Sequence, residues 1–104
     1  MAKLDTPKTQ SAFEELSNFA SQQAIMNALE RAGKDRKLLR KAKRDARAFL
    51  EDEGLKPPPR TDITVSERRI GVGQIRVCIT VCRVVGSFVV CVTICTRIIV
   101  IVAE

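Results

Sequence analysis

Hydrophobic residues recur at helical spacing through the first half of the chain. Along residues 12–32 an apolar side chain returns every three or four positions, which is typical of an amphipathic helix. Ser11 and Glu14 fit a capping box at its start, and Gly33 provides a natural stop. The pattern predicts a helix over about residues 12–32, preceded by a loose arm over residues 1–10.

A second amphipathic helix is predicted over about residues 36–53. Asp35 can cap its start, while Gly54 ends it and the prolines at 57–59 prevent its continuation. One face of this segment is apolar and the other is strongly basic. The two segments together predict a helical hairpin.

After the prolines the pattern changes from helical spacing to alternation. Residues 61–67 alternate polar and apolar, as a half-buried strand does, and residues 70–75 form a hinge or a bulged strand. The run from 76 to 97 is nearly symmetric about Gly86-Ser87, because residues whose numbers sum to 173 are mostly of the same type. This symmetry predicts a β-hairpin closed by a two-residue turn, in which glycine supplies the positive φ of a type II′ turn.

The predicted register pairs the four cysteines across the hairpin. Cys78 lies opposite Cys95 and Cys82 opposite Cys91, at non-hydrogen-bonded positions where side chains approach closely enough for a disulfide. Two interpretations stay open: covalent pairing, as disulfides or enzyme-made thioethers, or four small buried hydrophobic residues. The opposite face of the hairpin, which includes Ile98, is almost wholly apolar.

Together these elements predict an α+β fold, with an N-terminal helical hairpin followed by a short strand and a C-terminal, disulfide-compatible β-hairpin. The apolar face of the β-hairpin can pack on the helices as a permanent core. Left uncovered, that face is an aggregation hazard, because it is β-branched and low in charge.

Composition separates the two parts of the chain. Of the 35 residues from 70 to 104, 23 are apolar, and all four cysteines lie there, whereas residues 1–69 carry 15 Lys/Arg against 11 Asp/Glu. The chain has no histidine, which disfavours acid–base catalysis by imidazole, and we expect no enzyme activity and no cofactor. Cysteines four apart on a strand are roughly 13 Å apart, too far for one tetrahedral metal, so no metal site is predicted.

The basic character of the chain concentrates in its second helix. The net charge is +6, and residues 31–47 hold nine basic and two acidic side chains. Such a surface can be a solvated helix face, or it can meet nucleic acid, an anionic membrane or an acidic protein. No recognised nucleic-acid motif accompanies it, and Tyr and Trp are absent, so nucleic acid is the disfavoured partner.

The N-terminus carries no apolar run typical of a secretory signal. The longest uncharged run of the apolar C-terminal part, Val84 to Thr96, has 13 residues, against the roughly 20 that a spanning helix needs. We therefore expect synthesis in the cytoplasm, where thiols usually stay reduced.

The sequence DARAFLEDEGLKPP at residues 45–58, followed by the strand ITVSE, resembles the end of a nitrile-hydratase-like leader peptide. Such leaders head the precursors of the ribosomally made, enzymatically modified peptides called proteusins. The resemblance covers roughly residues 35–67. It implies that maturation enzymes hold the leader, often by strand addition to a sheet edge. By carry-over from the family, the leader-recognition residues are Phe49, Leu50, Ile63 and Val65.

The resemblance also implies a cleavage point between leader and product. The Gly-Gly or Gly-Ala site that is usual in the family is missing, and the candidate processing region is formed by Arg68, Arg69, Gly71 and Gly73. Residues 1–69 are then a helical leader region, and residues 70–104 the hairpin core peptide.

The run RVCITVCR…CVTICTR is similar in architecture to β-hairpin antimicrobial peptides of the tachyplesin and protegrin type. The similarity implies a membrane-active product, released by a protease, moved out by an exporter and attracted to anionic membranes by Arg76, Arg83 and Arg97. Candidate hydroxyl residues for enzymatic modification in the core peptide are Thr80, Ser87, Thr93 and Thr96.

Two other functions stay open. The chain can be a small α+β interaction or oligomerisation domain whose hairpin is a permanent core or a self-associating edge. With less support from the residues, it can be a basic nucleic-acid-binding module, which would show steeply salt-dependent binding.

Overall fold

The computed structural model describes residues 6–101 of the chain. This part folds into four helices followed by a four-stranded antiparallel sheet. The helices are α1 (Thr6–Ala20), α2 (Gln23–Lys34), α3 (Arg36–Arg44) and α4 (Ala46–Asp52). The strands are β1 (Asp62–Gly71), β2 (Gln74–Val85), β3 (Phe88–Cys95) and β4 (Ile99–Val100). The predicted α+β class, with the helices first and a C-terminal hairpin, is confirmed.

The first predicted helix starts earlier than expected and is divided in two. α1 begins at Thr6, so Ser11 lies inside the helix and the predicted capping box is not its start. Pro7 is compatible with this, because a first-turn proline lacks an N–H that would have no intrahelical partner. α1 ends at Ala20. The next buried side chain lies five positions further along the chain, which interrupts the helical spacing of buried residues. The remainder of the predicted loose arm, residues 1–5, lies outside the described residues.

The second predicted helix is also divided, at an aspartate that interrupts it. The Asp35 carboxylate accepts hydrogen bonds from two backbone N–H groups at the start of α3, which confirms it as a cap. Asp45 does the same for α4, accepting from the Ala48 N–H at 3.0 Å. After α4, Gly54 takes a positive φ of 79°, and the Leu55 N–H donates back to the Leu50 carbonyl. The division at Asp45 was not predicted, because an aspartate within a helical pattern does not by itself indicate a break.

The sheet contains the predicted hairpin with the predicted register. β2 and β3 pair antiparallel from Cys78↔Cys95 to Val85↔Phe88. Gly86 has a φ of +61°, as the first central position of a type II′ turn requires. The turn at Gly86-Ser87 is therefore confirmed.

The strand predicted over residues 61–67 is longer and is joined directly to the hairpin. β1 continues to Gly71 and pairs with β2 from Asp62↔Cys82 to Gly71↔Gln74, with a bulge before Gly71. The segment over residues 70–75, interpreted as a hinge or a bulged strand, thus contains this bulge and the tight β1–β2 turn, where Gly73 has a φ of +70°. The sheet order is β1-β2-β3, which makes β2 the central strand. The predicted boundary between residues 69 and 70 falls inside β1.

After β3 the chain bulges before it resumes pairing with β2. The Thr96 N–H donates to the Val77 carbonyl at 2.9 Å, and the Thr96 Oγ1 accepts from the Val77 N–H at 3.1 Å. β4 then pairs Ile99 with Ile75, one residue out of step with the hairpin. The extra residue reverses the faces: Ile99 is buried, whereas Ile98, predicted on the apolar face, is 44% exposed.

The helices cover one face of the sheet and form a single core with it. The buried side chains of this core include Leu16, Ile25, Leu29, Phe49 and Leu50 from the helices and Ile75, Val77, Ile79 and Val81 from β2. Gly33, predicted as a helix stop, lies inside α2, where its lack of a side chain allows Ile99 to pack closely against the helix. A Cβ placed there would lie 2.4 Å from the Ile99 Cδ1.

Candidate functional site

Two disulfides close the β2–β3 hairpin. Cys78 is bonded to Cys95 and Cys82 to Cys91, with Cα–Cα distances of 4.0 and 4.1 Å. These are the two pairs that the register predicts, at the positions where cross-strand side chains lie closest. Both cross-links join β2 to β3, and neither reaches the helices or β1.

The disulfides lie on the face of the sheet that points away from the helices, because side chains alternate along a strand and the odd-numbered residues of β2 face the core. Between the two cross-links the hydroxyls of Thr80 and Thr93 are hydrogen bonded at 2.9 Å. Cys78 is buried, whereas Cys91 is exposed. The disulfide nearer the Gly86-Ser87 turn is therefore the more accessible one.

The four candidate hydroxyl residues differ in accessibility. Ser87 lies in the exposed turn and Thr93 is exposed on the outer face, whereas Thr80 is half-buried. Thr96 is 3% exposed and holds the bulge, so an enzyme could reach its hydroxyl only if that part of the sheet opened.

The proposed leader-recognition residues belong to the core. Phe49 and Leu50 of α4 and Val65 of β1 are buried, and Ile63 is half-buried against the same cluster. These side chains shape the fold, and contact between them and a partner would require the helices to separate from the sheet.

The candidate processing region lies at the tip of the β1–β2 hairpin. Arg68, Arg69 and Gly73 are exposed and Gly71 is half-buried, while Val72 at the tip is fully exposed. The turn protrudes at one end of the sheet, as a protease-sensitive site requires.

Arg83 has a structural role in the fold that the sequence did not indicate. It lies on the core face of β2 opposite Val90, and its guanidinium donates to both carboxylate oxygens of Glu15 on α1, at 2.8 and 3.0 Å. It also donates to the Thr61 Oγ1 at 3.2 Å. A charged residue in an otherwise apolar row of β2 indicates that a polar partner lies on the helix side of the sheet. That was the one signal in the sequence for this contact.

The ion pair between Arg83 and Glu15 shifts the pKa of each group in the direction that favours its charged form. Hydrogen bonding from the guanidinium, together with its positive charge, holds the pKa of Glu15 below its usual value. The Glu15 carboxylate raises the pKa of Arg83 in return. The pair thus joins α1 to β2, the strand that carries Cys78 and Cys82.

Between residues 6 and 101 no helix combines the length and apolar character needed to cross a membrane. Comparison of the chain with protein-family models, with curated proteins and with solved structures found no match. The resemblance to a nitrile-hydratase-like leader therefore stays a prediction.

Proposed function

We propose that the chain is the precursor of a ribosomally made peptide, in which residues 1–69 hold the hairpin segment 70–104 until it is released as a membrane-active product. The observation that supports this best is the placement of the disulfides. Both lie inside the hairpin segment. One cut in the backbone near the β1–β2 turn would therefore yield a peptide that stays closed by its own cross-links.

In this proposal the helices of the N-terminal part also cover the apolar face of the hairpin. Ile75, Val77, Ile79, Val81 and Val92 are buried beneath the helices. Each such side chain gains about 1.5–3 kcal/mol from leaving water. Release would expose this row and provide the apolar area that drives a hairpin into a lipid interface, with the arginines favouring anionic lipid.

Mass spectrometry of the native product tests the precursor function. Intact mass and tandem fragmentation, with and without reductant, should find a short peptide that begins near Gly71. It should lack two hydrogens for each cysteine pair, or one water for each modified Ser or Thr. A full-length chain with free thiols would refute release and modification together.

Vesicle leakage tests the proposed membrane activity separately. The oxidised full chain should leave dye-loaded anionic vesicles intact, because its apolar row is covered. A variant with a protease site inserted in the β1–β2 turn, between Gly71 and Gly73, should cause the vesicles to release dye once it is cleaved. If the cleaved chain causes no more leakage than the uncleaved chain, the membrane activity is refuted.

A second candidate function is a permanent α+β interaction domain, and the position of β2 favours it. β2 is hydrogen bonded on both sides, and its pairing with β1 crosses the proposed boundary. Removing residues 70–104 would also strip the helices of the side chains they pack on. Size-exclusion chromatography of the cleaved chain distinguishes the two functions. Separation of the two fragments supports a precursor, and persistent co-elution in the presence of lipid supports a permanent domain.

A further inference from the structure

A groove rimmed by basic side chains lies where the helices meet the β1–β2 end of the sheet. Its rim is formed by Lys34, Arg36, Arg40, Lys43 and Arg69, with Glu67 as the one acidic residue. Arg36, Arg40 and Lys43 follow one another at intervals of four and three residues along α3, so they share one side of that helix. Arg69 comes from β1, so the rim is built from both layers of the fold.

Most of the charge on this rim is not neutralised. Lys43 forms an ion pair with Glu67 at 3.4 Å. Within the part of the chain that the structure describes, Lys34, Arg36, Arg40 and Arg69 have no carboxylate partner. Elsewhere between residues 6 and 101 some basic residues are paired with a carboxylate, such as Arg31 with Glu53, and others are not. The groove therefore carries four unpaired positive charges on its rim.

The floor of the groove is apolar. It is formed by Leu39, Ile75 and Ile101, and the groove encloses about 250 Å³. A second hollow of about 460 Å³ under the β1–β2 turn shares Arg36, Arg69 and the two isoleucines with it. The two hollows thus form one continuous track from α3 to the turn.

We propose that this track binds an extended acidic peptide segment of a partner protein. Carboxylates of the segment pair with the unpaired rim cations, and an apolar side chain between them rests on Leu39 and Ile75. Surface ion pairs of this kind supply orientation and on-rate, while the buried apolar contact supplies the slower dissociation.

Two observations favour a peptide over nucleic acid. None of the four phenylalanines of the chain lines the track, so no aromatic face is available there for stacking a base. The aliphatic floor can contact an apolar side chain of a peptide, which a phosphodiester backbone does not present. The inference does not rest on the precursor function, because a docking groove on the intact chain is compatible with either function proposed above.

Fluorescence anisotropy with the oxidised full chain tests the proposal. The probe is a labelled peptide of alternating Glu and Leu, compared with an alternating Glu–Ser peptide and with a labelled oligothymidine. We expect the Glu–Leu peptide to bind most tightly and to weaken as salt rises, because the rim charges are screened.

Two charge reversals on α3 locate the binding site. Arg36→Glu with Arg40→Glu should weaken binding of the Glu–Leu peptide by about tenfold or more. Lys37→Glu with Arg44→Glu makes the same change in net charge on the same helix but outside the track, and should weaken it by less than about threefold. Arg69→Glu on β1 is a second, independent groove variant, and thermal melts establish that each variant is folded.

Several results would overturn the proposal. Equal losses in the two α3 variants would mean that binding follows net charge and not the groove. Equal affinity for the Glu–Ser peptide would remove any role for the apolar floor. Tighter binding of the oligothymidine, or no binding of any probe, would reject an acidic peptide as the occupant.

Discussion

Replacing Thr96 with valine keeps the shape of the side chain but removes the oxygen that holds the bulge between β3 and β4. The Thr96 Oγ1 accepts from the Val77 N–H at 3.1 Å, in a position where Val77 is fully buried. Water cannot replace that acceptor, so the variant leaves a buried donor unsatisfied. We expect a loss of about 1–3 kcal/mol in the free energy of unfolding.

Thr93→Val is the matched control. Its hydroxyl also forms a hydrogen bond, with Thr80 at 2.9 Å, but Thr93 is exposed and water can take over the contact. We expect a loss below about 1 kcal/mol for this variant. Denaturant unfolding followed by circular dichroism, under oxidising conditions, measures both. Each kcal/mol corresponds to about 4–8 °C in Tm for a domain near this size. Equal losses would mean that the bulge does not depend on the Thr96 hydroxyl, and would refute the reasoning.

Three further predictions concern an ion pair, a close packing contact and the disulfides. The pKa of Glu15 is lowered in the fold by Arg83, so the stability from this pair is present above the unfolded-state pKa and is lost as pH falls through the folded-state pKa. Glu15→Gln should reduce the acid dependence of the unfolding free energy by less than about 1 kcal/mol, because Glu15 is half exposed. Gly33→Ala should destabilise by about 1–3 kcal/mol through its clash with the Ile99 Cδ1, and Ile99→Val should rescue it in a double mutant. Reduction of the two disulfides should lower the unfolding free energy by about 2–5 kcal/mol, and an unchanged thermal melt in reductant would contradict this.

The hairpin could be predicted from the sequence because its two strands mirror each other. Residue types that match across Gly86-Ser87 specify a register, and a two-residue turn specifies which pairs lie closest. The cysteine pairs follow from that register alone. The bulge at Thr96 could not be predicted in the same way, because the run of isoleucine and valine after it looks equally apolar in either alignment.

The helix boundaries and β1 were less predictable, because tertiary contacts decide them. Arg68 and Arg69 after the predicted strand are too polar to suggest its continuation, yet they belong to β1, where charged side chains suit an exposed sheet edge. The partnership of Arg83 with Glu15 joins residues 68 positions apart, and no local pattern encodes it. The basic rim was visible as a charge run, but its combination with an apolar floor requires α3 to meet Ile75 of β2 and Ile101.

The connection of β2 and β3 by a two-residue turn has a consequence for how the cysteines find their partners. Four cysteines can pair in more than one way. Here the residues to be joined are separated by 9 and 17 positions, and the shorter closure costs less chain entropy. We expect Cys82 and Cys91 to oxidise first, since the turn alone brings them together. That bond then fixes the alignment of the remaining pair. The chain can thus select its native connectivity locally, before the helices have docked on the sheet.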